Sequence, residues 1–132
     1  MKTIAIVTAC LALATLGFAS ESKYADISHE NLVAAVASRS VVILDANGSD
    51  SFKAGHIPGA VDYWANKDHL SSLLPADKNA LVVAYCYNPQ CPAYAQAAAA
   101  AEKLGYTNIK HYRPGITGWV KSGAPVEKGS RD

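Results

Sequence analysis

Two cysteines, Cys86 and Cys91, bracket the segment Cys86-Tyr87-Asn88-Pro89-Gln90-Cys91. Cys86 directly follows the apolar run at residues 81–85, and Pro92 opens an alanine-rich stretch. If the run is a strand and the stretch a helix, the loop 86–91 lies at the helix N-terminus. Backbone N–H groups point at such a loop, and the helix dipole favours negative charge there. A thiolate is a negative charge. The spacing therefore predicts a lowered pKa and a nucleophilic sulfur at Cys86; the plainer alternative is a structural cysteine ending a strand. The loop has no charged side chain of its own. Anion binding would rest on backbone N–H groups and on neighbouring loops, from which Arg113, after the next strand, is the cation expected near the site.

The residues around this loop carry weaker signals. Cys86, Cys91, His56 and His111 are conceivable metal ligands, but their spacing is not that of a zinc motif, and no metal is expected. His56, in the string Gly-His-Ile-Pro-Gly-Ala, reads as a hydrogen-bonding residue of a turn. Asp45 reads as a loop anchor at a strand end and Trp119 as core. Tyr87 could stack on a substrate or simply be an exposed loop residue.

The elements that must position Cys86 alternate in type. Ser28 has the side chain of an N-cap for a helix over residues 29–38, whose Leu32, Val33 and Val36 share a face. Val41-Val42-Ile43-Leu44 is an unbroken apolar run, the pattern of a strand buried on both faces. A short helix is expected over 49–54 before Gly55, a short strand over 60–63, and a helix over 67–74 before Pro75. Residues 81–85 form the second buried strand. A helix follows over 92–104, with Pro92 at N1, Cys91 as its N-cap and Gly105 just past its end. A strand over 108–112 and a helix over 116–122, ended by Gly123, complete the chain. Repeated β–α units predict an α/β domain with a mainly parallel sheet, whose sites lie at the carboxyl ends of the strands.

The first nineteen residues are expected to stand outside this domain. Lys2 precedes an apolar stretch from Ile4 to Leu16 interrupted only by Thr8 and Thr15, and Gly17 and Ala19 are spaced as at a signal-peptidase site. Residues 1–19 thus read as a cleaved secretory signal peptide, and residues 20–132 as one domain. The stretch is shorter than a bilayer span requires. A lipoprotein reading of Val7-Thr8-Ala9-Cys10 would leave too short an apolar stretch before the cysteine. Removing Lys2 from 12 Lys+Arg leaves 11, against 11 Asp+Glu, a formal charge of zero. Such a balance gives no electrostatic footprint for nucleic acid. The remaining cysteines, Cys86 and Cys91, would meet an oxidising compartment, a bacterial periplasm being the natural one, so a disulfide between them must be weighed beside any catalytic role. With 50% hydrophobic and 17% charged residues and no repeat, the composition excludes a disordered chain and a repeat array.

Three segments together resemble a single-domain rhodanese, a sulfurtransferase fold. They are Leu44-Asp45 with Phe52-Lys53-Ala54-Gly55-His56-Ile57-Pro58-Gly59-Ala60, then Tyr85-Cys86 with the loop to Cys91, then Gly115-Ile116-Thr117-Gly118-Trp119 with Gly123-Ala124-Pro125-Val126. The resemblance spans residues 24–127. It implies a five-stranded mainly parallel sheet with helices on both faces, and no cofactor. It implies that Cys86 accepts sulfane sulfur as a persulfide, cradled by backbone N–H groups of residues 87–91, and passes it to a nucleophilic acceptor. Related phosphatases carry an Arg six positions after the cysteine; here that position is Pro92, and no Arg lies between residues 86 and 112. No bidentate oxyanion clamp is therefore available.

The sequence departs from the family in two places. Asn47 stands where many members have Arg, and Cys91 stands where active rhodaneses commonly have Arg, in a loop without cations. Thiosulfate activity is therefore expected to be weak, and a low-molecular-weight or protein persulfide is the better donor. The loop fits a Cys-x-Asn-x-x-Cys pattern found in some relatives. Cys91 could resolve a persulfide on Cys86, releasing sulfide and leaving a disulfide, or protect Cys86 from overoxidation; it could equally do no chemistry if the loop holds the Cα atoms beyond disulfide reach, about 7 Å. The expected function is an exported sulfurtransferase acting on a small sulfur donor and a persulfide or thiol acceptor, itself a small molecule or a protein. Nucleic acid is not an expected partner, and no membrane span is expected after cleavage. A thiol–disulfide redox protein using Cys86 and Cys91, or a non-catalytic binding module of this fold, are the alternatives.

Overall fold

The computed structural model describes residues 22–130; the signal peptide expected over residues 1–19 lies outside the described residues. In chain order the elements are β1 (Ala25–Asp26), α1 (His29–Ala37), β2 (Val42–Asp45), α2 (Ser49–Ala54), β3 (Val61–Asp62), α3 (Tyr63–Asn66), a 3₁₀ segment (Lys67–Ser72), β4 (Val82–Tyr85), α4 (Tyr94–Lys103), β5 (Ile109–Tyr112) and α5 (Gly115–Lys121). The five strands form one sheet in the order β1-β5-β4-β2-β3, and every pairing is parallel.

The two apolar runs occupy adjacent central positions, as their composition requires. Val42 pairs with Val82 and Asp45 with Tyr85. Period-two alternation splits their side chains between two cores. Leu44, Val82 and Ala84 face α4, meeting Ala97, Ala98 and Ala101 together with Leu70 and Tyr106. Ile43, Val83 and Tyr85 face the other way, against Leu32 of α1, Phe52 of α2 and Trp119 of α5. Alanines let α4 lie close to the sheet, and enlarging one would overpack that layer by about 1–3 kcal/mol. Helix α4 ends as its sequence demands: Gly105 has φ +94°, and the N–H groups of Gly105 and Tyr106 bond the Glu102 and Ala101 carbonyls in a Schellman arrangement.

One strand was not expected, and two local expectations are corrected. Strand β1 has two exposed residues and no apolar pattern; it exists because it pairs with β5, Ala25 with Lys110 and Asp26 with His111. The strand expected over 60–63 stops at Asp62, whose side chain accepts the Ala65 N–H at 3.2 Å and so starts α3 at Tyr63. The helix expected over 67–74 is a 3₁₀ segment broken at His69, where φ is −134°.

Candidate active site

Cys86 follows β4, which is flanked by β2 and β5, so the strand-end loops on either side surround it. Its side chain is buried, with 2% exposure. Beyond it the chain reverses. The Asn88 carbonyl accepts the Cys91 N–H at 3.2 Å, and Asn88 Oδ1 accepts the Gln90 N–H at 3.1 Å. Residues 88–91 are thus a β-turn with Asn first and Pro second, the residues that favour those positions. The reversal brings the Cys91 Cα to 6.0 Å from that of Cys86, inside the span of a disulfide, and the two sulfurs are bonded. Cys91 is therefore within reach of Cys86, and it is not a helix N-cap. Ala93 occupies that position and α4 starts at Tyr94, because Cys91 is committed to the turn and the disulfide.

The loop keeps backbone donors in reserve. Among the described residues, the N–H groups of Tyr87, Asn88, Ala93 and Tyr94 donate to no protein acceptor. Unpaired N–H groups are what an anion binds where no cation is at hand. On its other side the loop is held by α5. The N–H groups of Ile116 and Thr117, in the first turn of that helix, donate to the Cys86 and Tyr87 carbonyls at 3.0 and 3.1 Å. The approach requires Gly115, whose φ is +67° and where a Cβ would stand 2.6 Å from the Tyr87 carbonyl carbon and oxygen.

Below Cys86 lies a buried polar strut. Tyr85 donates its hydroxyl proton to Asp45 Oδ2 and accepts the Ile57 N–H at 3.1 Å, while Asp45 Oδ1 accepts the Asn47 N–H at 2.8 Å. Burial raises the pKa of Asp45, and burial beside that carboxylate raises the Tyr85 phenol. The strut joins the ends of β2 and β4 to the Gly-His-Ile-Pro-Gly-Ala turn. His56 is a structural residue of this turn. Its ring stacks on Phe52 at 3.7 Å, its Nδ1 donates to the Phe52 carbonyl at 2.7 Å, and its backbone bridges Glu127.

Residues 28–122 match the Rhodanese-like domain family. The chain belongs to this family. Over 92 residues it is 30% identical to the HTH-type transcriptional regulator Rv0324 of Mycobacterium tuberculosis, a match that takes in 68% of this chain and 39% of that protein. The chain thus spans well under half the length of that relative. Among solved structures, SseA of Escherichia coli, a 3-mercaptopyruvate sulfotransferase, superposes with a TM-score of 0.63 at 19% identity, over 81% of this chain and 51% of SseA. A thiosulfate sulfurtransferase from Pseudomonas aeruginosa gives 0.62 at 24% identity, over 81% of this chain and 21% of that one. These likenesses establish the rhodanese fold, in which five parallel strands carry helices on both faces.

The other residues singled out in this rhodanese-like domain fall in different places. Arg113 follows β5, but its guanidinium is engaged by Asp26, Nε at 2.8 Å from Oδ2 and Nη2 at 3.3 Å from Oδ1. His111, which sequence reasoning raised only as a metal ligand, lies beneath this pair. It is stacked on Tyr94, the first residue of α4, with centroids 3.4 Å apart, and its Nδ1 is 3.5 Å from Asp26 Oδ1. Burial lowers its pKa to about 4. Tyr87 is 55% exposed and borders a groove of about 510 Å³ that Ala54, Ile116 and Val120 line, with Lys121 at its side. Among the described residues no three His, Cys, Asp or Glu side chains gather as a metal site, and no helix is long and apolar enough to cross a membrane.

Proposed function

We propose that this rhodanese-like domain is an exported sulfurtransferase that carries sulfane sulfur as a persulfide on Cys86. The observation that supports this reading is the setting of Cys86. It is a buried cysteine at the end of an inner strand, followed by a loop with unpaired N–H groups, in a fold shared with two sulfurtransferases. The Cys86 thiolate attacks the outer sulfur of a donor R–S–SH, forming Cys86–S–SH and releasing RS⁻. A thiol or other nucleophilic acceptor then takes the outer sulfur, and Cys86 leaves as the thiolate. Cys86 must first be freed from Cys91 by a reducing thiol.

The substrate class follows from charge. Residues 86–91 (Cys86, Tyr87, Asn88, Pro89, Gln90, Cys91) have no charged side chain, and Arg113 is paired with Asp26. A dianion such as thiosulfate gains little there, whereas an organic persulfide, with one charge at most, suits backbone donors. Donor and acceptor are small sulfur compounds or protein thiols; neither nucleic acid nor a membrane span enters the reading. Export to a bacterial periplasm rests on the leader pattern of residues 1–19.

The test is the intact mass of Cys91→Ser, reduced and freed of reductant, before and after glutathione persulfide. Uptake of one sulfur atom, removed by cyanide and missing when Cys86 is also replaced by serine, is expected. A second reading, a thiol–disulfide redox protein, draws on the Cys86–Cys91 bond itself. Loss of two hydrogens from the wild type on oxidation, with no sulfide release and no sulfur uptake by Cys91→Ser, would favour it over the transferase.

A further inference from the structure

We infer that the domain has a second activity, the reductive release of hydrogen sulfide, in which Cys91 is the acceptor for the sulfur loaded on Cys86; this rests on the persulfide reading above. The juxtaposition that carries it is built by the loop. The Asn88–Cys91 turn delivers Cys91 to bonding distance of Cys86, with Cα atoms 6.0 Å apart. Cys86 itself is buried, while Cys91 is half-buried. An external acceptor has to reach the sulfur on Cys86 by diffusion, whereas Cys91 is tethered beside it. Such tethering gives effective concentrations far above those of free thiols.

The chemistry balances with two named co-reactants. The Cys86 thiolate takes the outer sulfur of an organic persulfide, R–S–SH, forming Cys86–S–SH and releasing RS⁻. Cys91 gives its proton to solvent, and its thiolate attacks Sγ of Cys86. The Cys86–Cys91 bond forms, the bond to the outer sulfur breaks, and HS⁻ leaves with the electron pair. The outer sulfur is reduced to sulfide while two thiolates are oxidised to the disulfide. A dithiol then reduces that disulfide. Its first sulfur attacks Cys91, the more exposed of the two, and Cys86 departs as thiolate. Its second sulfur releases Cys91 and closes the reductant's own disulfide. Overall, one persulfide and one dithiol give one thiol, one sulfide and one disulfide. The bridged loop of the structure is then the product state of the first half of the cycle.

Two paths differ in which sulfur Cys91 attacks. Attack on Sγ of Cys86 expels sulfide, whereas attack on the outer sulfur would move the persulfide to Cys91 and expel nothing. The bonded pair corresponds to the first path. The test uses the purified protein, reduced with dithiothreitol, freed of it, and mixed anaerobically with one equivalent of glutathione persulfide. Sulfide is measured, and the intact mass is taken after alkylation. The wild type is expected to release one equivalent of sulfide and to end two hydrogens lighter than the reduced protein. Cys91→Ser is expected to gain one sulfur atom and to hold it, releasing sulfide only when dithiothreitol is added; Cys91→Ala serves if the serine variant does not fold. Cys86→Ser is expected to do neither. A wild type that gains one sulfur and keeps it, with cyanide still able to remove it, overturns the inference while leaving the transferase reading intact. Failure of the wild type and of both Cys91 variants to take up sulfur overturns the two together.

Discussion

Replacing Gly115 with alanine tests whether α5 holds the Cys86 loop. Two costs are readable. The first is backbone strain: φ at residue 115 is +67°, and an L side chain in that region costs about 1–2 kcal/mol. The second is collision. The new Cβ would stand 2.6 Å from the Tyr87 carbonyl and 2.8 Å from the Asn88 nitrogen, where ordinary contact begins at 3.4 Å. These are backbone atoms, so the loop itself must retreat by nearly an ångström. It cannot do so while keeping the bonds from Ile116 and Thr117 to the Cys86 and Tyr87 carbonyls, each worth about 1 kcal/mol. Gly123→Ala isolates the first cost, because residue 123 has φ +80° and no atom lies within 4 Å of its Cβ position. Urea unfolding should therefore place Gly115→Ala about 2 kcal/mol below Gly123→Ala. A misplacement of this size should slow sulfur loading of Cys86 by about a hundredfold, with Gly123→Ala loading at the wild-type rate. If the two variants unfold within about 0.5 kcal/mol of one another and load equally fast, the clamp is not what positions Cys86.

Three other perturbations address the surroundings of the loop. Tyr85→Phe removes the hydroxyl between Asp45 and the Ile57 N–H, leaving two buried polar groups unpaired; a loss of about 3 kcal/mol is expected in urea unfolding. His111 has a folded pKa depressed to about 4 from 6.5, so the unfolded chain binds the extra proton between these values. Its contribution is complete above pH 6.5 and is lost as the pH falls through 4, about 3 kcal/mol in all; His111→Gln should flatten the stability profile over that window. Asn88→Ala removes the side-chain bond to the Gln90 N–H and should weaken closure of the Cys86–Cys91 bridge by about fivefold, measured as its equilibrium constant against glutathione.

Much of the fold is legible in the order of residue types. The runs Val41-Val42-Ile43-Leu44 and Leu81-Val82-Val83-Ala84-Tyr85 become adjacent inner strands because no other environment buries both faces of such segments. Gly105 and Gly123 mark helix ends, with φ of +94° and +80°. What local pattern does not reveal is structure created by a distant partner. Ala25 and Asp26 become a strand only through β5. Asp62, the last residue of the short strand β3, also caps the helix that follows, which ends the strand there.

The site divides in the same way. The place of Cys86, between a strand end and a helix start, was legible in the sequence. Whether Cys91 reaches Cys86 is left open by the spacing alone; the overlooked signal is Asn88 followed by Pro89, a turn whose fourth residue is Cys91. The clamp by α5 had no local signal, since nothing near Ile116 names Cys86 as its partner. These two constraints act on opposite ends of the loop. Residues 86 and 87 are held by α5 through their carbonyls, while residues 88–91 are held by the Asn88 turn and the disulfide. Opening the disulfide removes a restraint from the Cys91 end alone. The bonds from α5 to the Cys86 and Tyr87 carbonyls do not depend on the bridge, so the restraint that reduction removes is on Cys91.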